Sequence, residues 1–378
     1  MIYFDNAATT KILPEVVDEM SKSFDEHWGN PSSVHRQGQK SRAAIEKSRE
    51  VIAKLLQVEP KEIIFTSGGA ESNNLILRGI LNANKSKGKH LITSKIEHST
   101  ILKTCIALEK EGYDITYLDV TENGMVDIEQ LKNAIRDDTV IISIMYVNNE
   151  TGVIQPIDKI SKIIEGTNIV LHTDAVQGIG KEQILPKKQG IQALSAAAHK
   201  FYGPKGVGFL YLDEKYIIEK EITGGSQERN RRSGTENVHS IVGMAKALEI
   251  VYSDMLEEQE REKEMQNYLE KSLKNEICNI KINCGNAKRI SSVVNITLDD
   301  CDVQTLMAAL DMEGICVSGG SACMSGAMET SHVLKAMGLS ERDLKSSIRV
   351  SLGRYNNKDE IDIFIQKLKE IVKRERGE

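Results

Sequence analysis

Apolar residues in the first two thirds of the chain fall in short runs separated by stretches of helical spacing. The runs Glu62 to Thr66, His90 to Thr93, Ile115 to Leu118, Val140 to Tyr146 and Ile169 to Thr173 have the length and β-branched content of buried strands. Between them, positions 71–84, 99–111, 127–135 and 157–165 place apolar residues on one helical face. Strands alternating with helices predict βαβ units around a mostly parallel sheet. A long charged stretch over 237–276 predicts a helix, and beyond it the rhythm changes. Strands near 280–283, 291–298 and 347–351 alternate with helices near 302–312, 330–338 and 357–374, an α+β pattern. The expected division is a large α/β domain over 14–255 and a smaller α+β domain formed by 1–13 and 256–378.

Length agrees with two domains, since 378 residues exceed one typical domain. The net charge of -6 is spread along the chain with no long basic block, which argues against direct nucleic-acid binding. No run approaches the roughly 18 apolar residues of a membrane span, and MIYFDNAATT lacks a charged region followed by an apolar one. A cytoplasmic protein away from membranes is expected. Six cysteines without a CxxC pair suggest neither a disulfide framework nor a zinc site, so no metal is expected.

The polar clusters fall at strand ends. SGGAESNN follows the first strand, EHST the second and NNETG the fourth, while HTDAVQ closes the fifth. Ligands of open α/β sheets sit at the carboxyl ends of strands, so these segments should converge on one site.

Each cluster admits two readings. Gly69 and Ala70, opening a helix, can present free N–H groups to a phosphate or can form a simple turn. Asp174 can pair with a protonated pyridinium nitrogen or cap the next turn. Lys200, among small residues and before a glycine-rich turn, can form a Schiff base if desolvated, whereas most lysines are surface residues. His98 can stack on an aromatic cofactor and exchange protons, or simply start a helix. Arg349, in the apolar strand SIRVSL, can clamp a carboxylate or form a structural salt bridge. Cys323 lies in SGGSACMSGAMETSH, a Gly, Ser, Ala and Met segment suited to an accessible relay thiol. The other five cysteines lie in helical or strand-like runs and are expected to pack as small hydrophobes.

Taken together, YFDNAATT, GNPSSVH, FTSGGAES, IEHST, NNETGVIQP, HTDAVQGIGK, AHKFYGPKGVG, GGSQERNRRSGTEN, GSACMSG, ETSHVLKAMGL and SIRVSLGRYN resemble the NifS/IscS cysteine desulfurases over nearly the whole chain. That resemblance implies a fold-type I transferase dependent on pyridoxal 5′-phosphate. Lys200 would carry the cofactor, Asp174 would pair with the ring nitrogen and Gln177 would bond the ring hydroxyl. His98 would stack on the ring and move protons, while Asn149 and Arg349 would orient the substrate carboxylate. His199 would bind phosphate, joined by Gly69 and Ala70, and Thr235 would reach the phosphate of the other subunit, which implies a homodimer. Cys323 would take sulfur from L-cysteine, leaving L-alanine, and pass it to an acceptor serving iron–sulfur cluster assembly or tRNA thiolation.

Two positions depart from the family. Ala70 stands where Thr is usual and Ala197 where Ser is usual, and both hydroxyls commonly touch the phosphate. Two missing neutral hydrogen bonds, at roughly 1 kcal/mol each, predict weaker cofactor retention. The competing readings are a selenocysteine lyase or cysteine sulfinate desulfinase, and a non-catalytic sulfur carrier with an impaired cofactor site.

Overall fold

The computed structural model describes residues 1–320 and 330–378. A seven-stranded sheet forms its centre, in the order Ile63–Thr66, Gly208–Leu212, Ala193–Ala197, Val170–Asp174, Thr139–Ser143, His90–Ser94, Asp114–Leu118. The last five of these run parallel, and Gly208–Leu212 is antiparallel to both its neighbours. Nearly every residue of the inner strands is buried, as expected of a sheet covered on both faces. The fold class read from the sequence is the one observed, and the predicted strands lie within a few residues of the observed ones.

His172 sits at the centre of this sheet with polar neighbours on both flanking strands. Ser143 Oγ lies 2.9 Å from its Nδ1 and Ser195 Oγ 3.0 Å from its Nε2, so one hydroxyl donates and the other accepts. Burial drives its pKa down to about 3, so the fold holds the neutral ring. A folded-state pKa below the unfolded value of about 6.5 contributes stability that is present above that pH and lost as pH falls towards 3. Urea unfolding of the wild type should lose about 3 kcal/mol more between pH 7 and 4 than unfolding of His172→Gln. Equal pH slopes for the two proteins would count against this account.

The charged stretch over 237–276 is two helices, Val238–Ser253 and Met255–Glu276. The first is apolar and largely buried, covering the helices Pro14–Glu26 and Arg36–Leu56, which the strand-and-helix pattern did not predict. Asp254 interrupts the run and bonds Arg354, while the second helix carries the charges and packs against Lys358–Arg376. Arg49, from Arg36–Leu56, meets Glu228 through two hydrogen bonds of 2.8 and 2.9 Å in a buried pair.

A second sheet, Ser347–Ser351, Val293–Leu298 and Ile280–Asn283, is antiparallel throughout and has its own apolar cluster, including Phe4, Leu269, Ile296 and Phe364. The N-terminal segment joins both sheets. Ile2–Tyr3 pairs with Ile315–Cys316 and Asp5 bridges Ser351, whereas the Thr10 and Leu13 amides donate to His199 and Tyr202 carbonyls. The strand ends of the large sheet and the residues 5–10 therefore enclose one space.

Candidate active site

That space is a cavity of about 280 Å³. Lys200, Asp174, Gln177, His98, Asn149 and Arg349 all line it, with Gly69, Ala70, Ala197 and His199 at its edge or wall. Among the residues singled out from the sequence, Thr235 does not line it; this residue is exposed beside a separate cleft with Ser67 and Arg232. Cys323 lies outside the described residues.

Lys200 ends a single turn of 3₁₀ helix after the strand Ala193–Ala197. Its Nζ donates to the carbonyl oxygens of Ala7 and Ala8, at 2.7 Å each. Asp174, 6% exposed, closes the strand beside it. Its Oδ1 accepts from the Val176 amide at 3.0 Å and its Oδ2 from Asn73 Nδ2 at 2.7 Å. Capping and a buried carboxylate facing the cavity are thus one arrangement, and the two readings of Asp174 are not alternatives.

The same holds for His98. It caps the helix Ser99–Lys110, its Nδ1 accepting the Thr100 amide at 3.2 Å, and it also faces the cavity. Asn73 Nδ2 donates to Thr100 Oγ1 as well as to Asp174, so the Thr100 hydroxyl is turned to donate to His98 Nδ1. This chain fixes the neutral tautomer with its proton on Nε2. Burial lowers the His98 pKa, and the Lys200 charge lowers it further against the opposing pull of Asp174. His199 is drawn down to about 4 by burial and by the charges of Lys200 and Lys205.

Arg349, 2% exposed, donates to the Asn149 carbonyl at 2.8 Å and to Asp5 Oδ1 at 2.9 Å. Its Nε is buried without a hydrogen-bond partner. A substrate carboxylate arriving there would share the guanidinium with Asp5. Asn73, Thr100 and the carbonyls of Ala7 and Ala8 were not assigned from the sequence, although SNN and DNAATT contain three of these positions. Backbone carbonyls leave no trace in residue type, and Asn73 shows its role only once Asp174 is beside it.

The cavity suits a flat anionic cofactor. Helix Gly69–Ala83 points its N-terminus at it, presenting unpaired amides and a favourable dipole to a phosphate. A Cβ at 69 would come within 2.8 Å of Val176 Cγ2 and force that side chain to shift. An amine, a buried carboxylate and an imidazole along the remaining wall form the donor set of a pyridoxal site.

Residues 2–364 match the model of the aminotransferase class-V family. The chain belongs to this family. As a class-V aminotransferase of the NifS/IscS type, it uses pyridoxal 5′-phosphate. It is 44% identical to the cysteine desulfurase IscS of Dictyoglomus turgidum, over 99% of this chain and 95% of that protein. Its identity to the IscS of Methanosarcina thermophila is also 44%, over 100% of this chain and 93% of that one. Among solved structures, a NifS-like protein superposes with a TM-score of 0.92 at 37% identity, covering 98% of this chain and 99% of that one. SspA in complex with cysteine gives 0.84 at 35%, covering 94% and 100%.

Ala70 and Ala197 both line the cavity near the N-terminus of helix Gly69–Ala83, and a Cβ on Gly69 would stand 3.8 Å from the Ala197 Cβ. Hydroxyls added at 70 and 197 would both lie on the wall of this cavity. The Ala70→Thr/Ala197→Ser variant should bind pyridoxal phosphate about tenfold to a hundredfold more tightly, read by equilibrium dialysis. Unchanged affinity would show that the helix amides and His199 already saturate the phosphate.

Proposed function

We propose that this chain is a cysteine desulfurase that takes sulfur from L-cysteine, releases L-alanine and carries the sulfur as a persulfide on Cys323. The observation that carries this reading is the gathering of Lys200, Asp174, His98 and Arg349 around one cavity at the sheet's carboxyl edge. Pyridoxal phosphate, when bound, supplies an electron-withdrawing ring that stabilises negative charge at a substrate's α-carbon.

The chain's own residues do the rest. Gly69, Ala70 and His199 would hold the phosphate, Asp174 would keep the ring nitrogen protonated and Gln177 would bond the ring hydroxyl. The Lys200 amine holds the cofactor and then moves the α-proton. Arg349 and Asn149 orient the substrate carboxylate, with Arg349 exchanging part of its contact to Asp5 for the incoming anion. His98, with its proton on Nε2, would stack on the ring and pass protons. The Cys323 thiolate attacks the substrate sulfur; the carbon–sulfur bond breaks, a sulfur–sulfur bond forms, and the carbon takes up a proton on its way to alanine.

Residues 14–255 form the cofactor-binding domain in this reading, and 1–13 with 256–378 the smaller one. The active form is a homodimer. Phe24, Trp28 and Val34 are 56, 69 and 90% exposed, an apolar group that a second copy would cover. The exposed Thr235, outside the cavity of its own chain, would reach the phosphate of the other. The acceptor is a protein of iron–sulfur assembly or tRNA thiolation in the cytoplasm. No described helix is long and apolar enough to cross a membrane.

The test is to incubate purified protein with L-cysteine and follow alanine, sulfide and protein-bound sulfur. Alanine formed in equal amount to transferred sulfur is expected. Sulfite or selenide as the preferred product from the corresponding substrates, with cysteine inert, would overturn the reading in favour of a related lyase.

A further inference from the structure

A narrow second cleft also touches Lys200, and Lys181, Tyr202, Gln259 and Glu262 line it. Lys181, Gln259 and Glu262 also line a wider cleft of about 600 Å³, together with Arg289. No role in the reaction has been given to Lys181 above. Its Nζ donates to Gln177 Oε1 at 3.1 Å, and Gln177 Nε2 donates to the Ala7 carbonyl at 2.8 Å.

These two contacts decide how the Gln177 amide is turned. An ammonium only donates and a backbone carbonyl only accepts, so a flipped amide would lose both bonds. Gln177 is 4% exposed and lines the cofactor cavity. With its oxygen engaged by Lys181, what it offers the cavity is its remaining N–H. The group it faces must then be an acceptor.

We propose that Lys181 is a positioning residue that locks Gln177 as a donor and so favours the ionised phenolic oxygen of the bound pyridoxal ring. This rests on the cofactor seat proposed above. The charges facing Lys181 come from two elements. Glu262, on the helix Met255–Glu276, favours its ammonium form, and Arg349, on Ser347–Ser351, opposes it, while burial lowers its pKa. Glu262 itself is raised by burial and by Glu258, and is drawn down by Lys181, Arg261 and Arg354. Lowered to about 8 by burial, Lys181 is still largely the ammonium at neutral pH, with Glu262 lining the same cleft.

The experiment titrates the visible absorbance of the holoenzyme. Lys181→Met should raise the pH midpoint of the bound cofactor's colour change by about half a unit to one unit, because the anionic oxygen loses its oriented donor. Lys181→Arg, which keeps a cationic donor, should leave the midpoint in place. In a Gln177→Ala background, adding Lys181→Met should produce less than half of its own shift, since the two residues act in series. Lys181→Met/Glu262→Gln repeats the measurement without a buried carboxylate lacking its counter-charge, so poor folding of the single variant does not decide the matter. An unmoved midpoint, or the full shift in the Gln177→Ala background, would overturn the proposal. The seat is read from the presence of the absorbance band and the role of Lys181 from its midpoint, so the two can fail separately.

Discussion

Lys200→Ala is expected to lower alanine formation from cysteine by about 10⁴-fold and to abolish the lysine-dependent absorbance of the bound cofactor. Among the described residues lining the cavity, Lys200 is the only lysine. Its amine is aimed by two carbonyl oxygens at 2.7 Å. The half-buried side chain ends a turn whose backbone is fastened by Thr10 and by Phe201, so the fold does not depend on the amine. Circular dichroism of the variant should match the wild type. A variant that kept a tenth of wild-type turnover would remove Lys200 from its assigned role.

Cys323→Ala should end persulfide formation and reduce sulfur release by about 10³-fold or more, with cysteine still binding. The remaining described thiols are poor nucleophiles or lie away from the cavity. Burial raises Cys105 to about 12 and Cys284 to about 11, and it raises Cys301 and Cys316 as well. At neutral pH these four are almost wholly protonated, and a thiol reacts as its thiolate. Cys278 is exposed, contrary to the packing expected of it, and follows the helix Met255–Glu276 without lining the cavity. Mass spectrometry after cysteine treatment should find the added sulfur on Cys323. Persulfide on Cys278 with undiminished turnover of Cys323→Ala would reverse the assignment.

Much of this was legible because the large sheet is written in local patterns. Most parallel strands are short apolar runs followed by a cluster, so Asp174, His98 and Asn149 could be brought together by the rule of strand ends, whereas Lys200 follows a strand the pattern did not predict. What escaped is of two kinds. The run Gly208–Leu212 and the strand Ala193–Ala197 are made of residues that also suit turns or helices, and only their pairing with neighbours settles them. The contacts of Asp5 with Arg349, and of Lys200 with Ala7, link positions far apart in sequence through a charge pair and a carbonyl, and spacing carries no record of either. The boundary at Asp254 was missed because both helices on either side are continuous in helical periodicity, although one is apolar and the other charged.

The N-terminal strap also joins an early part of the sequence to strands that emerge much later during biosynthesis. Residues 2–8 leave the ribosome early, but the strands that receive Ile2 and Asp5 lie at 315–316 and 347–351 and are among the late segments to emerge. Thr10, Leu13 and Gln177 already tie this segment to the side of the large sheet, but its contacts through Ile2 and Asp5 wait for those strands. A nascent chain with its large sheet already folded would therefore hold the strap at one end only, and its second anchorage, with the Asp5–Arg349 pair, follows once residues 315–351 have emerged.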